Sequence, residues 1–177
     1  MTTLYLPASE TLLENFKEIQ DFLKTHNIQL SRWNAAISLK DTDSQETILK
    51  AYEHEVLPFM KSSGFTSADV INVHPKMENL EALREKFLSE HIHSEDEVRF
   101  FVDGSGKFWF NFEDEIGEKT IACITCRQGD FLSVPAGQKH WFDLAPEYFV
   151  KAIRIFTNKE GWVANYTGSG IDKKYNH

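Results

Sequence analysis

The chain has 177 residues, 41% of them hydrophobic, and a formal net charge of -8 with a pI near 5.4. A chain of this length buries roughly 70% of the surface its unfolded form exposes, so one domain with its own core is expected and no disulfide scaffold is needed. No lysine and arginine cluster interrupts the acidic balance, which argues against nucleic acid and anionic membrane as partners, because both need a positive face.

The opening run Met-Thr-Thr-Leu-Tyr-Leu-Pro is too short and too uncharged for a signal peptide, and no apolar run approaches the length of a membrane span. A cytoplasmic protein is expected, and nothing demands more than a monomer. Short apolar runs at 4–6, 28–33 and 70–73 read as strands. Between them, residues 9–26 place Leu12, Leu13, Phe16, Ile19, Phe22 and Leu23 at helical spacing. Residues 44–62 do the same with Ile48, Ala51, Tyr52, Val56 and Leu57; Ser44 is a plausible N-cap, and Pro58 is expected to kink or shorten that helix. A third helix is predicted over 79–88.

From residue 97 the period changes to two. Runs at 98–102 and 107–112 flank Asp103-Gly-Ser-Gly106, which reads as the turn of a β-hairpin. Further strands are predicted at 119–127, 131–134, 139–143 and 150–157. Six or more short strands in about 70 residues indicate a closed sheet. The expected architecture is therefore a single α+β domain over 1–177. It has a helix-rich extension at 1–88, a β-barrel core at 89–165 and a tail at 166–177. Cys123 and Cys126 form a C-x-x-C, but strand residues three apart point to opposite faces. No second C-x-x-C and no following helix start support a metal or redox role, so two ordinary reduced cysteines are expected.

Four potential metal ligands stand out. His91, His93 and Glu97 lie in His91-Ile-His93-Ser-Glu-Asp-Glu97, and His140 ends Gly129-Asp-Phe-Leu-Ser-Val-Pro135-Ala-Gly137-Gln-Lys-His140. Three imidazoles and a carboxylate suit Fe(II), Ni(II), Mn(II) or Zn(II) and would leave two positions open on a six-coordinate ion. His91 and His93 share one face of a strand. A straight strand would carry Glu97 roughly 13 Å past His93, at about 3.3 Å per residue, so a bend is required over 94–96. His140 is expected to close the set from across the barrel. His26, His54, His74 and His177 have no partner pattern and read as surface or structural residues.

The first run fits the cupin motif His-x-His-x3-Glu-x6-Gly, with Gly104 in the last place. The second fits Gly-x5-Pro-x-Gly-x2-His. Leu144 stands where the generic pattern expects Asn, which removes a structural polar residue and not a ligand. Longer runs resemble the acireductone dioxygenases: Arg84-Glu-Lys-Phe87-Leu, Glu90-His-Ile-His, Glu95-Asp-Glu-Val-Arg99-Phe-Phe-Val, Val134-Pro-Ala-Gly, His140-Trp-Phe-Asp143 and Ala152-Ile-Arg154-Ile-Phe-Thr-Asn-Lys-Glu-Gly161-Trp162. The likeness covers most of the chain from about residue 70 and is thinner before it.

This resemblance implies a cupin-type β-barrel, or jelly-roll, with amino-terminal helices. It also implies one Fe(II) or Ni(II) and a role in methionine salvage. The implied substrates are O2 and 1,2-dihydroxy-3-keto-5-methylthiopentene, an acireductone. The Fe(II) form is expected to yield 2-oxo-4-methylthiobutanoate and formate, and the Ni(II) form methylthiopropanoate, formate and carbon monoxide. Arg99 shares parity with Glu97 and so points inward, where a buried arginine needs an anionic partner; a bound enediolate would supply one, as would Glu95 or Asp96. The resemblance further implies that Phe87, Phe142 and Trp162 line the substrate pocket, and it makes Glu95 a candidate for proton transfer. Another metal-dependent cupin enzyme, or a barrel that only binds a metal or small molecule, would share the ligands but not the extended runs.

Overall fold

Period-two alternation governs the chain from residue 97 onward. In the computed structural model, which describes residues 1–158 and 163–175, that half folds into antiparallel strands. The elements before it are β1 (Thr3–Leu6), β2 (Thr11–Leu13), α1 (Phe16–Thr25), β3 (Gln29–Arg32), α2 (Gln45–Ala51), α3 (Glu53–Ser63), β4 (Ser67–Val73) and α4 (Leu80–Leu88). The barrel strands follow as β5 (His91–Ile92), β6 (Glu97–Glu113), β7 (Lys119–Arg127), β8 (Asp130–Val134), β9 (His140–Asp143) and β10 (Val150–Phe156), with a short β11 (Asn165–Tyr166).

Strand β6 belongs to both layers. Its first half pairs with β8 and β10, giving the order β4-β10-β6-β8-β3. Its second half pairs with β7 and β9 in the order β11-β5-β9-β6-β7-β1-β2. The predicted hairpin at 103–106 is therefore not formed, because those residues lie inside one continuous strand. The glycines serve close approach instead of chain reversal. Gly104 has a φ of 69°, and a side chain there would come within 2.1 Å of the Phe149 carbonyl oxygen. A side chain at 106 would come within 2.2 Å of the Phe142 ring.

The pairing of β6 with β10 also slips between Lys151 and Ala152, leaving Val102 as an extra residue. A one-residue slip exchanges the two faces of a strand. Before it, Phe101 faces the barrel interior, while Val98, Phe100 and Val102 pack outward on Ile48, Tyr52 and Val56 of the helical layer. After it, Phe108, Phe110 and Phe112 face inward and Trp109 outward. Helices α2 and α3 thus cover the outer face of one layer, while α1 and α4 pack with the interior cluster through Ile19 and Leu23 and through Leu83 and Phe87.

Local chemistry shortened the predicted helices. The run from residue 9 turns helical only at Phe16, because the Asn15 side chain accepts the N–H groups of Lys17 (2.9 Å) and Glu18 (3.2 Å) and caps the helix there. Residues 11–13 pair with β1 instead. Ser44 does cap α2. The helix predicted over 44–62 is divided at the buried Tyr52, whose hydroxyl donates to the Ile37 carbonyl at 3.1 Å, while Pro58 remains inside α3. The long 33–44 connection is tied down by Lys151, which is fully buried and donates to Asp41 (2.9 Å) and Asp103 (3.4 Å).

Cys123 packs outward against Trp109 and Trp141, and Cys126 packs in the interior core. Both are free thiols, and burial pushes Cys123 up to about 12 and Cys126 well above its usual range, as expected for inert cysteines. Leu144, at the position where Asn was expected, is buried in the interior core. Among the described residues, no helix is long and apolar enough to cross a membrane.

Gly104→Ala combines positive φ with a backbone collision and is expected to cost roughly 3 kcal/mol. Gly137→Ala, with φ of 77° but open space around it, is expected to cost about 1 kcal/mol. Urea denaturation of both variants checks this; equal losses would contradict the Phe149 contact.

Candidate metal centre

Helix α4 ends at Leu88, and the chain extends through Ser89 and Glu90 into β5. His91 lies in β5, directly opposite His140 of β9. His93 follows the strand, the chain bends at 94–95, and Glu97 opens β6. The required bend is present. His140, however, sits on the strand next to His91 and not across the barrel. Glu97 closes the group from the far layer, where it pairs with β8 and β10.

The Pro135-Ala-Gly137 turn locks this bend. Asp96 Oδ1 accepts the Ala136 N–H at 2.8 Å, and the Gly137 N–H donates to the His93 carbonyl at 2.9 Å. Arg84 of α4 forms a two-point ion pair with Asp143 of β9, at 2.7 and 3.0 Å, which seats the end of α4 beside the histidines.

All three imidazoles are buried, and each Nδ1 faces a backbone carbonyl. His91 bonds to Ser89 (2.8 Å), His93 to Val163 (3.0 Å) and His140 to Gln138 (2.8 Å). A carbonyl only accepts, so each Nδ1 carries the proton and each Nε2 lone pair is left to point elsewhere. Burial and the neighbouring His140 push His91 down to about 3, which keeps it neutral near pH 7.

One nitrogen from each of the three rings lies within 4.8 Å of the others. Glu97 Oε2 lies 3.3 Å from His93 Nε2 and 3.4 Å from His140 Nε2. Burial alone would raise the Glu97 carboxyl, but the adjacent Arg99 guanidinium opposes this, and the carboxyl is held well below the usual range. Glu97 Oε2 and His140 Nε2 are both buried without a hydrogen-bond partner among the described residues. Acceptor lone pairs converging in a dry site repel unless a cation lies among them. Donors about 2.1 Å from one ion sit roughly 3 Å apart when cis and roughly 4.2 Å apart when trans, so the donor set fits a divalent metal.

Arg99 is 3% exposed. Its Nε donates to Glu97 Oε1 at 2.7 Å, so its anionic partner is neither Glu95 nor Asp96. The guanidinium carbon lies 4.7 Å from the Phe108 ring centroid and 4.5 Å from that of Phe142, two rings that meet at 5.0 Å with a 60° tilt and form one aromatic corner against it. Arg99 Nη1 has no hydrogen-bond partner among the described residues.

A cavity of about 130 Å³ opens beside these groups, lined by His91, His93, Arg99 and Phe87, and also by Lys86, Arg154, Ala164 and Tyr166. Phe142 is not on that wall; it is 1% exposed and meets Phe87 edge-on at 6.2 Å. Glu95 also lies off the cavity, accepting from Thr157 Oγ1 at 2.6 Å and Asn158 Nδ2 at 3.2 Å. Trp162 lies outside the described residues. Residue spacing does not single out Lys86, Ala164 or Tyr166, because they arrive from α4, from the stretch before β11 and from β11. Arg154 reaches the wall because it faces Arg99 in the pairing of β10 with β6, which spacing along the chain does not show.

Arg99→Met leaves the Glu97 carboxylate buried without its cation and is expected to destabilise the metal-free protein by roughly 3–5 kcal/mol. Arg99→Lys should recover little of this, because an ammonium can neither spread a planar cation against two rings nor present a separate Nε–H. Chemical denaturation of both variants is the measurement, and a Lys variant as stable as wild type would contradict the need for a planar guanidinium there.

The same chain is matched over residues 8–164 by the model of the ARD/ARD' family. The acireductone dioxygenase of Picosynechococcus sp. is 49% identical over 175 residues, covering 99% of this chain and 97% of that protein. That of Cronobacter sakazakii is 43% identical over 170 residues, covering 95% and 92%. Among solved structures, the acireductone dioxygenase from Bacillus anthracis with a cadmium ion in its active centre superposes with a TM-score of 0.83 at 31% identity, covering 94% of this chain and 98% of that one. By sequence and by cupin-type fold alike, the chain belongs to the ARD/ARD' family of acireductone dioxygenases.

Proposed function

We propose that this protein is an acireductone dioxygenase of methionine salvage that holds one Fe(II) or Ni(II) on His91, His93, Glu97 and His140. The observation that carries the ligand assignment is the convergence of buried, unpaired acceptors on Glu97 Oε2 and His140 Nε2. A divalent ion held there supplies Lewis-acid chemistry and a template for the enediol of 1,2-dihydroxy-3-keto-5-methylthiopentene and for O2. In the family the products follow the ion, and the same ligands serve both outcomes.

The remaining roles fall to the chain's own side chains. Arg99 Nη1 donates to an enediolate oxygen, while its bond to Glu97 and the two rings against it hold the guanidinium beside the cavity. Phe87 on the cavity wall packs against the methylthio tail. Phe142 acts through Arg99, as the ring beneath its guanidinium. Glu95 is assigned to holding the ligand-bearing bend against Thr157, in place of proton transfer. The four ligands come from one chain, so a monomer acting in the cytoplasm suffices for the reaction.

Metal-stripped protein reloaded with Fe(II) or Ni(II) should consume O2 on mixing with freshly generated acireductone, with carbon monoxide formed by the Ni(II) form alone. Absence of O2 uptake by either form would favour a binding module. His93→Ala and His140→Ala should lose metal on gel filtration, as read by elemental analysis. Arg99→Ala, once loaded, should keep its metal and lose roughly 100-fold or more in kcat/KM; unchanged kinetics would remove Arg99 from the mechanism.

A further inference from the structure

Glu90 precedes the first histidine and takes no part in the chemistry above, yet it is 2% exposed. Its Oε2 accepts from Asn111 Nδ2 at 2.7 Å. Its Oε1 accepts from the hydroxyls of Thr167 (2.5 Å) and Ser169 (2.7 Å), and its backbone carbonyl accepts the Thr167 N–H at 3.0 Å. Two of these side chains belong to the segment 163–170, which runs along the metal centre. The Val163 carbonyl receives the His93 Nδ1–H, and β11 pairs Asn165 with Ile92 and Tyr166 with His91. The Tyr166 hydroxyl donates to the Lys86 carbonyl at 3.2 Å.

Both residues of β11 are exposed, so burial of apolar surface does not hold this segment. Polar anchoring does, and a buried carboxylate that gathers three donors is its firmest point. We propose that Glu90 is a positioning residue for the metal centre: by fixing Thr167 and Ser169 it holds 163–170 as a strap whose Val163 carbonyl sets the orientation of His93. The proposal rests on the reading of His91, His93, Glu97 and His140 as metal ligands. What the strap needs from residue 90 is hydrogen-bond acceptors and not charge. Asn111 Oδ1 is buried without a hydrogen-bond partner among the described residues, so a turn of that amide would satisfy the nitrogen introduced by Glu90→Gln.

The test is competition of Ni(II) between the protein and a chromophoric chelator, with the visible spectrum of the Co(II)-loaded protein alongside. Wild type, Glu90→Gln, Glu90→Leu and the double variant T167V/S169A are compared. Glu90→Gln should bind Ni(II) nearly as wild type does. Glu90→Leu and the double variant should bind roughly 10–100-fold more weakly, with altered Co(II) bands and cooperative unfolding of the metal-free protein retained. The double variant touches no residue next to a ligand and serves if Glu90→Leu does not fold. Wild-type affinity and an unchanged Co(II) spectrum in T167V/S169A would overturn the proposal, as would a Glu90→Gln variant as weak as Glu90→Leu. Wild-type protein that takes up no Ni(II) would instead sink the metal assignment itself.

Discussion

The pairing of Arg99 with Glu97, on successive inward positions of β6, is the contact on which the rest of the site depends. Either charge alone would be costly at this depth. Together they divide their valences. Glu97 gives one oxygen to Arg99 Nε and turns the other toward the histidines, and Arg99 Nη1 is left buried without a partner among the described residues. This division needs the guanidinium held against the Phe108 and Phe142 rings, and the Phe142 ring occupies space that any side chain at residue 106 would fill. A glycine distant from the reacting groups thereby shapes the centre through one ring and one cation.

The histidines are governed by backbone rather than by other side chains. Their Nδ1 partners are carbonyls of Ser89, Gln138 and Val163, which belong to three separate segments: the link from α4 into β5, the turn between β8 and β9, and the stretch leading into β11. Ligand orientation therefore depends on all three segments being docked at once. The ties that dock them are polar and specific: Arg84 to Asp143, Asp96 to the Ala136 N–H, and Glu90 to Thr167 and Ser169. Such support is rigid without being extensive, which suits a site that has to keep an open cavity beside its donors.

Much of the chemistry is legible along the chain. The spacing of His91, His93, Glu97 and His140 marks a candidate metal site, and the shared parity of Glu97 and Arg99 places both inside, because side-chain alternation in a strand is a local property of the backbone. The same locality makes Ser44 readable as a cap and Cys123 and Cys126 readable as facing apart. Asn15 carries an equally local capping signal, and it shows that helical spacing upstream of a strong cap is no evidence of helix.

What only the tertiary structure decided concerns partners far apart in sequence. Gly104 and Gly106 are consistent with either a turn or a close approach, and the outcome rests on Phe149 and Phe142, which lie opposite them in the fold. Whether His140 stands across the barrel or beside His91 depends on β9 pairing with β5. The partner of Arg99, the retreat of Phe142 behind it and the arrival of Lys86 and Tyr166 at the cavity follow from the same long-range packing. The sequence by itself determined the candidate donor set of three histidines and a carboxylate and the inward face that Glu97 and Arg99 share, since both follow from residue type and local alternation. The tertiary structure decided which of them meet, since strand order and layer contacts are set by pairings that no local pattern encodes.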